Sequence, residues 1–134
     1  MGRPRIRLGD DVAWVELAEV EEESWRVTAD WSSRLTADFT AYLTTEEVAD
    51  FAARMLALLR TPSGEDFAER VTPGRNNPLT LRGEPVEDGY AFAVRLTPHG
   101  DDAVCQLQLE VDPVGNADLC ELFEELRASL AVGR

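Results

Sequence analysis

The chain has 134 residues, 44% of them hydrophobic and 29% charged, with a formal net charge of −13 from 26 acidic and 13 basic residues. That composition suits one globular domain with its own core, and it excludes a disordered chain or one carrying a long apolar membrane segment. Acid in such excess also excludes general nucleic-acid binding, which needs a concentrated positive surface to neutralise phosphates.

Residues 1–5 read as a short flexible start. No signal-type apolar segment follows them, so the sequence predicts a cytoplasmic protein. Residues 6–8 can open a strand, and Gly9, Asp10 and Asp11 supply turn chemistry. Residues 12–22 read as a strand that runs into the acidic stretch Glu21, Glu22 and Glu23. Residues 25–31 alternate, with Trp25, Val27, Ala29 and Trp31 on one face and Arg26, Thr28 and Asp30 on the other. Ser32 and Ser33 make a tight connection to residues 34–43, where Leu35, Ala37, Phe39 and Ala41 share a face.

Thr44 and Glu47 have capping-box spacing and start a helix that runs to Arg60. Its apolar stripe is Val48, Phe51, Met55, Leu58 and Leu59. Asp50 and Arg54, four apart, are placed to pair on its outer face. Pro62 and Gly64 end it. Residues 65–71 are ambiguous, with Phe67 able to anchor a short strand. Residues 72–78 read as an exposed loop rich in turn formers. Strands follow over 79–83, 90–97 and 103–111, the first two joined through Glu87, Asp88 and Gly89. Alternation points Cys105 inward with Leu107, Leu109 and Val111. Asn116 is the expected cap of a second helix reaching Ala131, striped by Leu119, Leu122, Phe123, Leu126 and Leu130.

The predicted order is therefore βββ-α-βββ(β)-α in one α+β domain spanning residues 1–134. Its antiparallel sheet would have about six to seven strands, with both amphipathic helices packed on one face. The repeat of strands followed by a helix is the most informative pattern in the chain.

No catalytic constellation accompanies it. His99 is the only histidine and sits in a turn, which argues against zinc and leaves an acid–base role without a partner. Cys105 and Cys120 lack metal or redox spacing and read as free thiols. Asp112, Asn116 and Asp118 lack the alternation of a calcium loop. An enzyme here would have to work with carboxylates such as Asp38, Asp102 or Glu110. The reading is a non-enzyme without cofactor or metal. Two segments stand out for recognition: Glu21, Glu22 and Glu23, suited to a basic protein, and Arg75, Asn76 and Asn77 in the central loop, where Arg75 could clamp a carboxylate. Trp14 and Trp31 would add a binding patch if both lay on the face away from the helices.

The pattern resembles a set of small actinobacterial domains and the WapI-type immunity proteins that accompany polymorphic toxins. The elements carrying the likeness are residues 25–29, Phe39 to Leu43 with Phe51, Leu58 and Leu59, then residues 79–81, 89–94 and 119–130. The resemblance implies a toxin-neutralising role and carries over no functional residue. The expected function is a non-catalytic acidic domain that holds a basic protein partner, without nucleic acid or membrane, and with a homo-oligomer as a possible state. The alternative is a small-molecule binder with its pocket between sheet and helices.

Overall fold

Alternation along the chain resolves into eight strands and two helices in the computed structural model, which describes residues 3–100 and 104–131. The strands β1 (Arg5–Gly9), β2 (Ala13–Glu21), β3 (Ser24–Trp31) and β4 (Leu35–Ala41) precede helix α1 (Thr45–Arg60). The strands β5 (Phe67–Arg70), β6 (Leu79–Val86), β7 (Gly89–Leu96) and β8 (Leu107–Gly115) precede helix α2 (Asn116–Ala131). They form two four-stranded antiparallel sheets, ordered β1-β2-β3-β4 and β5-β6-β7-β8.

This corrects the expectation of a single sheet of six to seven strands. Residues 5–9 are a full strand, hairpinned to β2, and Phe67–Arg70 is a short fourth strand of the second sheet. Residues 6–8 and Phe67 hinted at both strands, but segments this short carry too little alternation to fix their bounds. β1 and β8 come close without hydrogen-bonding as a ladder, so two sheets meet where one was expected.

Period-two patterning buries one face of each sheet. Ile6, Leu8, Val15, Leu17, Trp25, Val27 and Ala29 line the inner face of the first. Leu79, Leu81, Phe92, Val94, Leu109 and Val111 line that of the second. Both helices pack against these inner faces and on each other. Phe51 of α1 meets Phe123 of α2 edge to face, with centroids 5.7 Å apart. Around one small cavity these two rings meet Ile6, Leu8, Val15 and Leu17 from the first sheet and Leu79 and Leu81 from the second. Gly83 leaves room in the second sheet for the Phe67 ring, which a Cβ there would approach to 2.5 Å.

The capping box of α1 is present: Thr44 N donates to Glu47 Oε1 at 2.8 Å, and Glu47 N donates to Thr44 Oγ1 at 3.1 Å. Other local expectations fail. Asn116 does not cap α2, because its buried Oδ1 accepts no hydrogen bond among the described residues. Instead its amide nitrogen donates to the Leu59 carbonyl at 3.1 Å, serving the C-terminal end of α1. Arg54 turns away from Asp50 and pairs with Glu69 at 2.9 Å, since β5 lies within reach of that face. Cys105 is exposed because the chain reaches β8 only at Leu107, so strand parity does not govern it. Arg60 pairs with Glu124, a further link between the helices.

Candidate functional site

Six recognition residues were expected in two groups, and the structure treats the groups differently. Glu21, Glu22 and Glu23 form the tip of the β2–β3 hairpin, all exposed. None of the three forms an ion pair among the described residues. Glu23 has φ +60, a left-handed conformation in which glycine or asparagine is the usual occupant. Val20 and Tyr42, exposed by 46% and 70%, lie at the same end of this sheet.

The second group is not the exposed connection the sequence suggests. Arg75 and Asn76 are exposed, but Asn77 is buried along with Thr72. Asn77 Oδ1 accepts from Val71 N at 2.9 Å and Thr72 N at 3.2 Å, while its Nδ2 donates to Thr80 Oγ1 at 3.2 Å. Thr97 Oγ1 donates to the Asn77 carbonyl at 2.7 Å. The loop is also tied to α1: Thr72 Oγ1 and Asn76 Nδ2 both donate to Glu47 Oε2, and Asn76 Nδ2 reaches the Tyr42 carbonyl at 2.8 Å. Burial alone would raise the Glu47 pKa. The Thr44 backbone N–H and the Thr72 and Asn76 side chains outweigh it and hold the carboxyl below its ordinary value. Turn-forming residues thus fold into a braced segment because their side chains satisfy the loop's own backbone donors.

That segment walls an open concavity of about 720 Å³ on the outer face of the second sheet. Arg70, Thr80 and Arg95 form one cross-strand row over β5, β6 and β7. Strand spacing sets the two arginine Cα atoms roughly 10 Å apart, with a threonine hydroxyl between them. Arg75 comes from the loop above, and His99 and Gly100 close the side. Arg70 Nη2 also donates to the Gly74 carbonyl at 3.1 Å. No carboxylate lines the concavity among the described residues.

Sequence reading missed Arg70, Thr80 and Arg95. Alternation along β6 and β7 turns Thr80 and Arg95 outward, but residues 65–71 were ambiguous, and the register that aligns the three strands is not a local signal. His99, read as an isolated turn residue, is exposed at the rim of this group.

The remaining candidates do not converge. Asp38 is exposed on the outer face of the first sheet, where its hydrogen bond to Arg26 holds its pKa down. Glu110 is exposed on the second sheet, and Asp102 lies outside the described residues. Asp10 and Asp112 meet near the β1–β8 junction. The backbone N–H of Ala13 lowers the pKa of Asp10, and the hydrogen bond with Asp10 raises that of Asp112. Among the described residues no third metal-ligating side chain joins them.

Trp14 and Trp31 make no joint patch, because they lie on opposite faces of the first sheet. Trp14 carries the Arg7 guanidinium 3.9 Å above its ring, and Trp31 is exposed at the strand end beside Leu35. Trp25 is core, with no exposed surface. The space between sheets and helices, where a ligand pocket was expected, is filled by side chains. The cavity there measures about 20 Å³, room for one water. Among the described residues no helix is long and apolar enough to cross a membrane. No protein-family model, curated protein or solved structure matches the chain.

Proposed function

We propose that this chain is a non-catalytic binding domain, of immunity or accessory type, whose acidic hairpin tip holds a basic protein partner. The observation that carries this reading is Glu21, Glu22 and Glu23 standing side by side, exposed and without an ion pair among the described residues. Three like charges on one turn repel one another, and Glu23 adds a left-handed backbone. A stable fold gains nothing from that arrangement; a basic partner does. The net charge of −13 would speed the encounter, and the adjacent Val20 and Tyr42 offer apolar area to hold it. Two free cysteines fit a reducing compartment such as the cytoplasm.

The test is affinity capture at low salt from the native host lysate, with wild type beside a Glu21→Gln, Glu22→Gln, Glu23→Gln variant. A basic protein retained by the wild type, lost by the variant and released by salt supports the reading. Equal capture by both refutes it. Glu23→Gly separates the two roles of that position: it should raise stability while weakening the association.

A further inference from the structure

We propose that the arginine-lined concavity on the second sheet binds a small ligand carrying two or more phosphate or carboxylate groups. This site is separate from the acidic hairpin tip, and its failure would leave that reading intact.

The first argument is charge. Acidic residues outnumber basic ones two to one in this chain. Yet Arg70, Arg75, Arg95 and His99 gather around one hollow with no carboxylate in its lining among the described residues. A comparable hollow of about 700 Å³ between β1 and α2 shows the contrast. There Arg3, Arg5 and Arg7 are interleaved with Glu16 and Glu125, and Arg7 pairs with Glu16 at 3.4 Å. That second hollow neutralises itself. Arg70 and Arg75 have no carboxylate partner among the described residues.

The second argument comes from comparing the two halves, which share the order ββββα. Residues 10–12 and 32–34 are tight turns in the first half. The matching connections in the second half are residues 71–78 and 97–106. These two expanded connections supply Arg75, Asn77, Thr97, His99 and Gly100 to the hollow. Both longer connections thus contribute to this one feature.

The third argument is rigidity. Asn77 pins the loop to the sheet, and Gly100, at φ +72, lets the His99 turn lie against the Arg75 carbonyl. A preorganised arginine pair spends little entropy in closing on an anion. Arg70 from β5 and Arg75 from the loop above bring two guanidinium groups to the hollow, with the Thr80 hydroxyl in the same lining, so a ligand with two anionic groups fits better than one with a single charge. Among the described residues the His99 imidazole is the one aromatic ring in the lining.

Calorimetric titration of the full chain with inorganic pyrophosphate and with citrate, at low ionic strength, tests this. Saturable binding of either probe is expected, with roughly tenfold loss in Arg75→Gln and in Arg95→Gln, the size of one charge-assisted hydrogen bond. Arg34→Gln, an exposed arginine in the turn between β3 and β4, should leave affinity within about twofold. Pyrophosphate binding without citrate binding names phosphate as the ligand chemistry, and the reverse names carboxylate. If neither probe saturates below about 10 mM, or if Arg34→Gln weakens binding as much as the two pocket variants do, the site is refuted. Arg75 is exposed, so its variant keeps the test valid even if Arg95→Gln unfolds.

Discussion

Asn77 is the residue on which the central loop depends, and Asn77→Ala measures how much. Its side chain is buried, and the substitution removes the acceptor for two backbone donors, Val71 N and Thr72 N. Val71 N keeps a 3.3 Å bond to the Leu79 carbonyl, so only part of its satisfaction is lost. Thr72 N is left without a partner in a buried residue, which costs about 1–3 kcal/mol. The weakened Val71 bond adds roughly 0.5–1 kcal/mol. The expected loss is therefore about 1.5–4 kcal/mol, or a fall in Tm of roughly 5–16 °C for a domain of this size. Urea unfolding monitored by tryptophan fluorescence should show the midpoint falling with an unchanged slope. Asn77→Asp keeps the acceptor and should cost less. It also sets a negative charge among Arg70, Arg75 and Arg95, and should weaken anion binding more than it weakens the fold. A fall in Tm below about 2 °C for Asn77→Ala would show that the loop is held by other contacts, and the argument for a braced wall would go with it.

Two further outcomes follow from the same region. Glu47 has its pKa depressed in the folded state, so the unfolded chain binds its proton first. Its contribution is present above the ordinary glutamate value of 4.5 and is lost as pH falls through the folded value. The stability difference between wild type and Glu47→Gln should shrink over that acid range in denaturant titrations, and a difference constant from pH 7 to about pH 3 would contradict the assignment. Gly100→Ala places a Cβ 1.7 Å from the Arg75 carbonyl oxygen at φ +72. It should destabilise by more than the roughly 1–2 kcal/mol of the left-handed backbone alone and shift the amide resonances of the 71–78 loop, whereas an unaltered spectrum would mean the two segments do not touch.

How much of this was legible in the sequence depends on the range of the signal. The helices were readable from their apolar stripes, and the start of α1 from Thr44 and Glu47, because capping and periodicity are local. Strand parity correctly put Val27 on one face with Trp25 and Ala29, and Leu109 inward with Val111. Cys105 was misplaced because parity was extended past the true start of β8. Register is not local: nothing in the residues themselves says that Arg70 stands opposite Thr80 and Thr80 opposite Arg95. The split into two sheets was hidden for a similar reason, since it depends on how β1 and β8 meet. Arg75 was singled out from its loop composition, but its neighbours were assembled by the fold. Asn77 was picked for recognition, and the structure gives it a buried bracing part instead.

The repeated pattern invites the idea that each half is an independent unit, and the packing argues otherwise. The two sheets meet at β1 and β8 without a ladder between them, so backbone hydrogen bonding does not join the halves. What joins them is the core. Phe51 and Phe123 meet edge to face at its centre, residues from both sheets close around them, and Asn116 and Glu124 of α2 bind Leu59 and Arg60 of α1. Separating the halves would expose the inward faces of both helices together, an area far larger than a surface turn could compensate. The same packing fills the space where a ligand pocket was first expected, and so moves any recognition to the outer surfaces. There the halves differ: the first presents an acidic hairpin and the second a hollow lined by arginines. Two opposite electrostatic surfaces thus stand on one shared core, and a substitution in either can change binding without unfolding the other.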